Sequence, residues 1–243
     1  MRTLTFAGRC AKEVLRDPLN LMFGLGFPVV LLLLLSAIQA NVPVALVEIR
    51  HLTPGVTVFG LSFVTLFSAT LIAKDRESAF VQRLYTTPLT PMGFILGYLL
   101  PLIPLAVGQT LVCYITALFL GLPLSADVLF AVIAILPVTV LYIALGLLCG
   151  SVFTVKQVGG VCGALLTNVS AWLSGIWFDL ELMGESFKKI ANLFPFVHAV
   201  EWDRAVLVGN FTEALPHLYP VLGYALAITF GAVWVFLHQM NKQ

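Results

Sequence analysis

Charge is what this 243-residue chain has least of. Only 10% of its residues are Asp, Glu, Lys or Arg, against roughly 25% in soluble proteins. No charged side chain occurs from Pro18 to Val47, His51 to Ala73, Leu84 to Ala126, Leu129 to Val155, Gln157 to Phe178 or Ala214 to Asn241. Each of these runs is long enough to cross a bilayer, which takes about 20 apolar residues in a helix whose backbone amides are all satisfied internally. Six spans and their connections leave no stretch of about 100 residues for a separate soluble core. The fold class read from this pattern is all-α: a polytopic membrane protein with six transmembrane helices.

Other absences narrow the function. The expected spans, 21–40, 55–73, 93–120, 128–150, 157–178 and 216–237, contain no Asp, Glu, Lys or Arg. Gln39, Gln109, Gln157, Asn168 and His217 are the side chains that break their apolar content. Proton- or sodium-driven transport needs titratable or ion-coordinating groups at membrane depth, so a gradient-driven mechanism is disfavoured. The chain has no H-E-x-x-H, no paired membrane aspartates, no G-x-S-x-G and no glycine-lysine pair for a phosphate loop. Metal-assisted, nucleophilic and nucleotide-hydrolysing chemistry therefore lack their parts. No catalytic, cofactor or metal site is expected, nor a nucleic-acid partner. Any ATP would be hydrolysed on another subunit. The four cysteines, Cys10, Cys113, Cys149 and Cys162, give no disulfide framework and read as small apolar residues.

The charges that are present report sidedness. With the N-terminus inside, nine of the thirteen Lys and Arg residues fall on the inner side and four, Arg50, Lys188, Lys189 and Arg204, outside. The positive-inside rule then places both termini in the cytoplasm, in a plasma-membrane protein. The opening segment does not read as a cleavable signal, because its basic region is too extended and no small-x-small site follows. Residues 1–17 read instead as an amphipathic interface helix. Leu4, Ala7, Ala11, Val14 and Leu15 share one face; Arg9, Lys12, Glu13 and Arg16 share the other. Residues 18–243 form the transmembrane domain. Gly24, Gly26 and Pro28 predict a kink near the inner end of the first span. Phe59, Phe63 and Phe67 recur every four residues on the second, with packing the plainer reading and a substrate-facing stripe the alternative. Gly159, Gly163 and Thr167, at the same interval on the fifth, predict close approach to another helix.

Two connecting segments stand out. Lys74 to Pro91 places Lys74, Asp75, Arg76 and Glu77 just below the membrane, then Phe80, Val81, Leu84 and Tyr85 at helical spacing. That describes a short helix able to sit in a groove on a cytoplasmic partner, or an ordinary charged loop. Residues 179–213 form the longest outer segment, with a short amphipathic helix and a charge-free stretch, Ile190 to Val200, too short to span and read as re-entrant. Asn210-Phe-Thr212 matches a glycosylation sequon, a pattern of little specificity.

The order of these features resembles the permease subunit of an ATP-binding cassette (ABC) type-2 exporter, in the branch with drug-resistance and polysaccharide-export permeases. The matching pieces are Arg16-Asp17-Pro18, Phe27-Pro28, Leu52-Thr-Pro-Gly55, Arg76-Glu77 with Arg83-Leu84 and Thr87-Pro88-Leu89, and Pro195-Phe-Val-His-Ala-Val-Glu201-Trp-Asp-Arg204. Ser78-Ala79 departs from the glycine-threonine common in relatives. The resemblance implies two permease subunits, as a homodimer or heterodimer, on two cytoplasmic ABC ATPase subunits that carry ATP and Mg. It makes residues 74–87 the coupling helix, with Lys74, Asp75, Arg76, Glu77, Phe80, Arg83 and Leu84 contacting the ATPase and the loop at Lys156 a minor contact. It makes the second and fifth spans line the path, with Phe63, Phe67, Asn168 and Trp172 as candidate lining residues, and 179–208 its outer cap. An uncharged cavity recognises ligands by apolar burial. The expected function is therefore export of an amphiphilic or hydrophobic compound; the alternative is a non-transporting assembly or receptor component in the membrane.

Overall fold

The computed structural model describes residues 2–41, 48–78, 91–178 and 180–240, and every regular element in them is a helix. Helix α1, Arg2–Leu15, is amphipathic as predicted. Asp17 then caps the next helix, its carboxylate accepting from the Asn20 N–H at 3.2 Å. That helix, α2, runs Pro18–Ala40. The expected kink is a π-helical turn, Met22–Gly26, which forms where Gly24 and Gly26 weaken the helical ladder.

Helix α3 is Ile49–Glu77, α4 Pro91–Phe119 and α5 Ala126–Val152. Helix α6 begins at Val155–Val158, passes through a π-helical Gly159–Leu166 and ends with Thr167–Leu173. Its start is fixed by a capping box in which Thr154 and Gln157 satisfy each other's amides. Beyond a 3-10 turn at Leu180–Met183 come α7, Glu185–Leu193, α8, Pro195–Leu207, and α9, Phe211–Met240.

Five of these helices, α2, α3, α4, α5 and α9, are long and apolar enough to cross a membrane. Six spans were expected, and α6, the fifth of them, is the one that falls short of this apolar content. It ends at Leu173 rather than Phe178, and Lys156, Gln157, Asn168 and its three glycines dilute its apolar content. Helix α3 outruns its predicted span 55–73 at both ends, because helical hydrogen bonding does not stop where the apolar stretch does. The outer charge-free stretch is not one element. Pro195 holds Phe194 extended, at φ −101° and ψ 153°, and splits it between α7 and α8.

Helix α3 is the axle of the bundle. Of its apolar window 89% is buried, against 17% for α2 and 22% for α9, so α2 and α9 lie on the flanks with most of their apolar surface uncovered by the bundle. The tightest packing on it comes from α5, through Gly146 and Gly150. A Cβ at Gly146 would lie 2.6 Å from the Thr65 carbonyl oxygen, and one at Gly150 2.6 Å from that of Ala69. Only glycine lets the two backbones come this close. The contact is sealed by the Thr65 hydroxyl donating to the Tyr142 carbonyl at 2.6 Å.

Candidate functional site

On the sidedness expected from the charges, the C-terminal end of α3 is the inner one, and there three consecutive side chains hold four other elements. Successive residues of an α-helix project about 100° apart, so Asp75, Arg76 and Glu77 leave the axle in three directions. Asp75 is 2% exposed. It accepts from Arg9 Nη1 at 2.8 Å and Arg9 Nη2 at 2.7 Å, a two-pronged pair that fastens α1. The Tyr98 hydroxyl of α4 donates to the same carboxylate at 2.9 Å. Arg9 also reaches Glu13 at 3.0 Å.

Arg76 turns toward α5, donating to the carbonyls of Ser151 and, at 2.6 Å, Phe153. These carbonyls sit at a helix C-terminus, where the last turn lacks backbone partners and a cation meets the negative end of the dipole. Glu77 does the converse for α6. Its Oε1 accepts from the Val155 N–H at 2.9 Å, at the positive start of that helix. Hydrogen bonding to Asp75 raises the Arg9 guanidinium above its ordinary range, and burial opposes it. Burial pushes the neighbouring Cys10 thiol up to about 12, leaving it a neutral packing group.

Of the residues expected to face a cytoplasmic subunit, Asp75 is buried and bonded within its own bundle, and Arg76 is half-buried with partners on α5. Lys74 and Glu77 are exposed. Phe80, Arg83 and Leu84, with most of the expected coupling helix, lie outside the described residues.

The candidate lining residues divide into two pairs. Phe63 and Phe67 are buried and spent on α2: Phe63 packs on Phe23 and Phe27 at 6.3 and 5.5 Å, and the missing side chain of Gly24 makes room for the Phe67 ring. Asn168 is exposed, its amide donating to the Ala164 carbonyl at 2.8 Å, and Trp172 is 53% exposed on the same helix. Of the glycine stripe, Gly163 meets Leu66 of α3 at 3.4 Å and Thr167 is buried, while Gly159 faces open space. The closer backbone approach, that of α5 to α3, was not among the expectations. The Gly146-x-x-x-Gly150 spacing was the signal available for it.

The outer end carries a second polar group that the span count did not anticipate. Asp203 is fully buried and accepts from the Tyr114 hydroxyl at 2.7 Å. Burial pushes its carboxyl up to about 7, against the pull of that hydrogen bond. Arg204, 8% exposed, donates Nε to the His51 carbonyl at 3.1 Å, Nη2 to the Gly175 carbonyl at 3.1 Å, and Nη1 to Glu201 at 2.7 Å. His198 donates Nε2–H to the Asn192 carbonyl, so in the neutral ring its Nδ1 accepts from His217 Nδ1–H, 3.0 Å away. These groups border a polar cavity of about 510 Å³ lined by His51, Lys188, Asn192, Glu201, Arg204 and His217. Asn210 of the sequon is a helix cap, its Oδ1 accepting from Thr212 Oγ1 at 2.8 Å and from the Glu213 N–H.

An all-α bundle with several membrane-length helices, a docked amphipathic N-terminal helix and charges gathered at the helix ends defines a polytopic membrane protein. The model of the ABC-2 type transporter family matches residues 2–208, and the chain belongs to that family. The transport permease ycf38 of Porphyra purpurea is 31% identical over 220 residues, which cover 84% of this chain and 74% of that one. The protein is thus a transport permease in kind.

Proposed function

We propose that this chain is the membrane subunit of an ATP-driven exporter of an amphiphilic or hydrophobic compound, paired with a second permease subunit and driven by two cytoplasmic cassette ATPases. The observation that carries the reading is the convergence of α1, α4, α5 and α6 on Asp75, Arg76 and Glu77. These residues open the segment 74–87, which enters the ATPase as the coupling helix. A displacement of that segment is passed at once to four elements, because each is bonded to the same turn of α3. The scarcity of charge in the spans supports an apolar cargo and a driving force supplied from outside the membrane. The second and fifth spans, α3 and α6, line the path. On that arrangement Asn168 and Trp172 present the exposed surface of α6 to cargo, and Phe63 and Phe67 stiffen the wall behind it.

Co-purification tests this. The permease expressed with its cassette ATPase should bring the ATPase down and support ATP turnover. Arg83→Glu should cut association or turnover at least tenfold, while the permease alone stays monodisperse. Absence of any cassette ATPase from the purified protein, with turnover indifferent to Arg83→Glu, removes the energy source and favours the non-transporting alternative.

A further inference from the structure

Helix α1 carries three stripes rather than the two its sequence pattern describes. Phe6, Cys10 and Val14 are buried. Phe6 packs edge-on against Phe94 and Tyr98 of α4, at 5.7 and 5.0 Å, and lies over Gly97. Next around the helix come Leu4, Ala7, Ala11 and Leu15. With Leu25 of α2 and Leu100, Pro101, Pro104, Leu105, Gly108 and Val112 of α4, they line an apolar groove of about 600 Å³. Beyond Gly8, on the same edge, follow Lys12 and Arg16, both exposed.

Two features of the groove point to an occupant. Gly8 stands on one wall and Gly108 on the other, and a Cβ built on either meets nothing within 4 Å. The cleft is therefore open at both glycines. The charges at its rim are arranged with one sign outward. Asp75 is buried on Arg9, Glu13 is paired with the same guanidinium, and Asp17 is spent on capping Asn20. Lys12 and Arg16 stand one helical turn apart, lining with Arg9 and Glu13 a polar recess that shares Gly8 with the groove. An apolar slot with two cations at its polar edge complements a lipid whose headgroup is negative.

We propose that the groove between α1 and α4 binds one acyl chain of an anionic phospholipid, and that Lys12 and Arg16 hold the headgroup phosphate. The site is separate from the charge knot at Asp75 and from the proposed path, and it does not depend on the transport reading. Its ligand would fasten the interface helix to the bundle from the membrane side.

Native mass spectrometry of the full-length protein in detergent, titrated with dioleoyl phosphatidylglycerol against dioleoyl phosphatidylcholine, tests it. The expected result is preferential retention of phosphatidylglycerol at one strong site. Lys12→Glu with Arg16→Glu should lower that preference at least tenfold, in line with the worth of two basic residues at a membrane surface. Gly8→Leu with Gly108→Leu should abolish retention of both lipids by filling the slot, and the two pairs of variants check each other for folding, since the charge variants leave packing untouched. Equal retention of both lipids by the parent protein, or a preference unmoved by the charge variants, overturns the headgroup assignment. Undiminished binding in the glycine variants overturns the groove. A lipid-free dimer that the glycine variants dissociate would make a second copy of the chain the occupant and overturn the proposal.

Discussion

The two ends of this bundle, inner and outer on the expected sidedness, are both polar, but they are built in opposite ways. At the inner end, charged groups of one short stretch of α3 reach outward to α1, α4, α5 and α6. At the outer end, Asp203 and Arg204 of α8 are sunk among other elements, Asp203 on Tyr114 and Arg204 on the carbonyls of His51 and Gly175. The first arrangement is a hub, in which one moving segment shifts many helices. The second is a plug, in which the outer helices are held shut by a few deeply buried bonds. On the proposed function the two stand in the order a permease driven from below would need: stiff linkage where force enters and a closure that can be released where cargo leaves.

The comparison rests first on the α3–α5 contact that connects the two ends. Gly150→Leu would drive a side chain into the Ala69 backbone, 2.6 Å from its carbonyl oxygen. It should abolish recovery of monodisperse protein, measured by size-exclusion chromatography, and an intact elution profile would break the axle account.

The plug predicts a pH dependence. Burial raises the Asp203 carboxyl from 3.8 to about 7. The folded state then keeps its proton where the unfolded state has lost it, so stability falls as pH rises from 3.8 to about 7 and is level above. The loss is on the order of 4 kcal/mol. Asp203→Asn, which keeps an acceptor for Tyr114, should flatten this slope in thermal unfolding between pH 5 and 8. An unchanged slope would place the titration elsewhere.

The hub should respond differently. Asp75→Ala leaves the Tyr98 hydroxyl buried without its acceptor and Arg9 without its main partner. The cost is about 2 kcal/mol, at the low end for a broken pair because Arg9 is partly exposed. Denaturant unfolding checks this, and Asp75→Asn should recover part of the loss through Tyr98. The smallest effect belongs to Asn210→Ala, about 1 kcal/mol for a lost helix cap, with thermal unfolding as the readout.

Most of the fold was legible in the sequence because run length and charge placement are local. The spans now seen as α2, α4, α5 and α9, the Gly24 and Gly26 kink and the amphipathic α1 all follow from neighbours in the chain. What was hidden is long-range. The buried state of Asp75 depends on Arg9, 66 residues away, and that of Asp203 on Tyr114, 89 away. Counting charges within spans could find neither, because both acids sit just beyond the apolar stretches and are drawn inward by partners on other helices. The Gly146-x-x-x-Gly150 seam was visible as a pattern; the stripe beginning at Gly159 drew the reading to α6 instead. Four of the seven expected coupling contacts, Lys74, Asp75, Arg76 and Glu77, lie among the described residues, and the bonds that Asp75 and Arg76 make within the bundle come from partners far along the chain.

One measurement bears most directly on the hub. In a chain freed of its native cysteines, spin labels at Leu124→Cys and Leu182→Cys, positions 83% and 82% exposed at the outer end, report the outer separation by pulsed electron resonance in the complex with its cassette ATPase. Trapping the ATPase with ATP, Mg and vanadate should shift that distance by several Å, on the order of the helix displacements common in such transitions. Arg76→Ala should abolish the shift while the ATPase remains bound. An identical shift in the variant would mean that force reaches the outer end by another route, and would contradict the account.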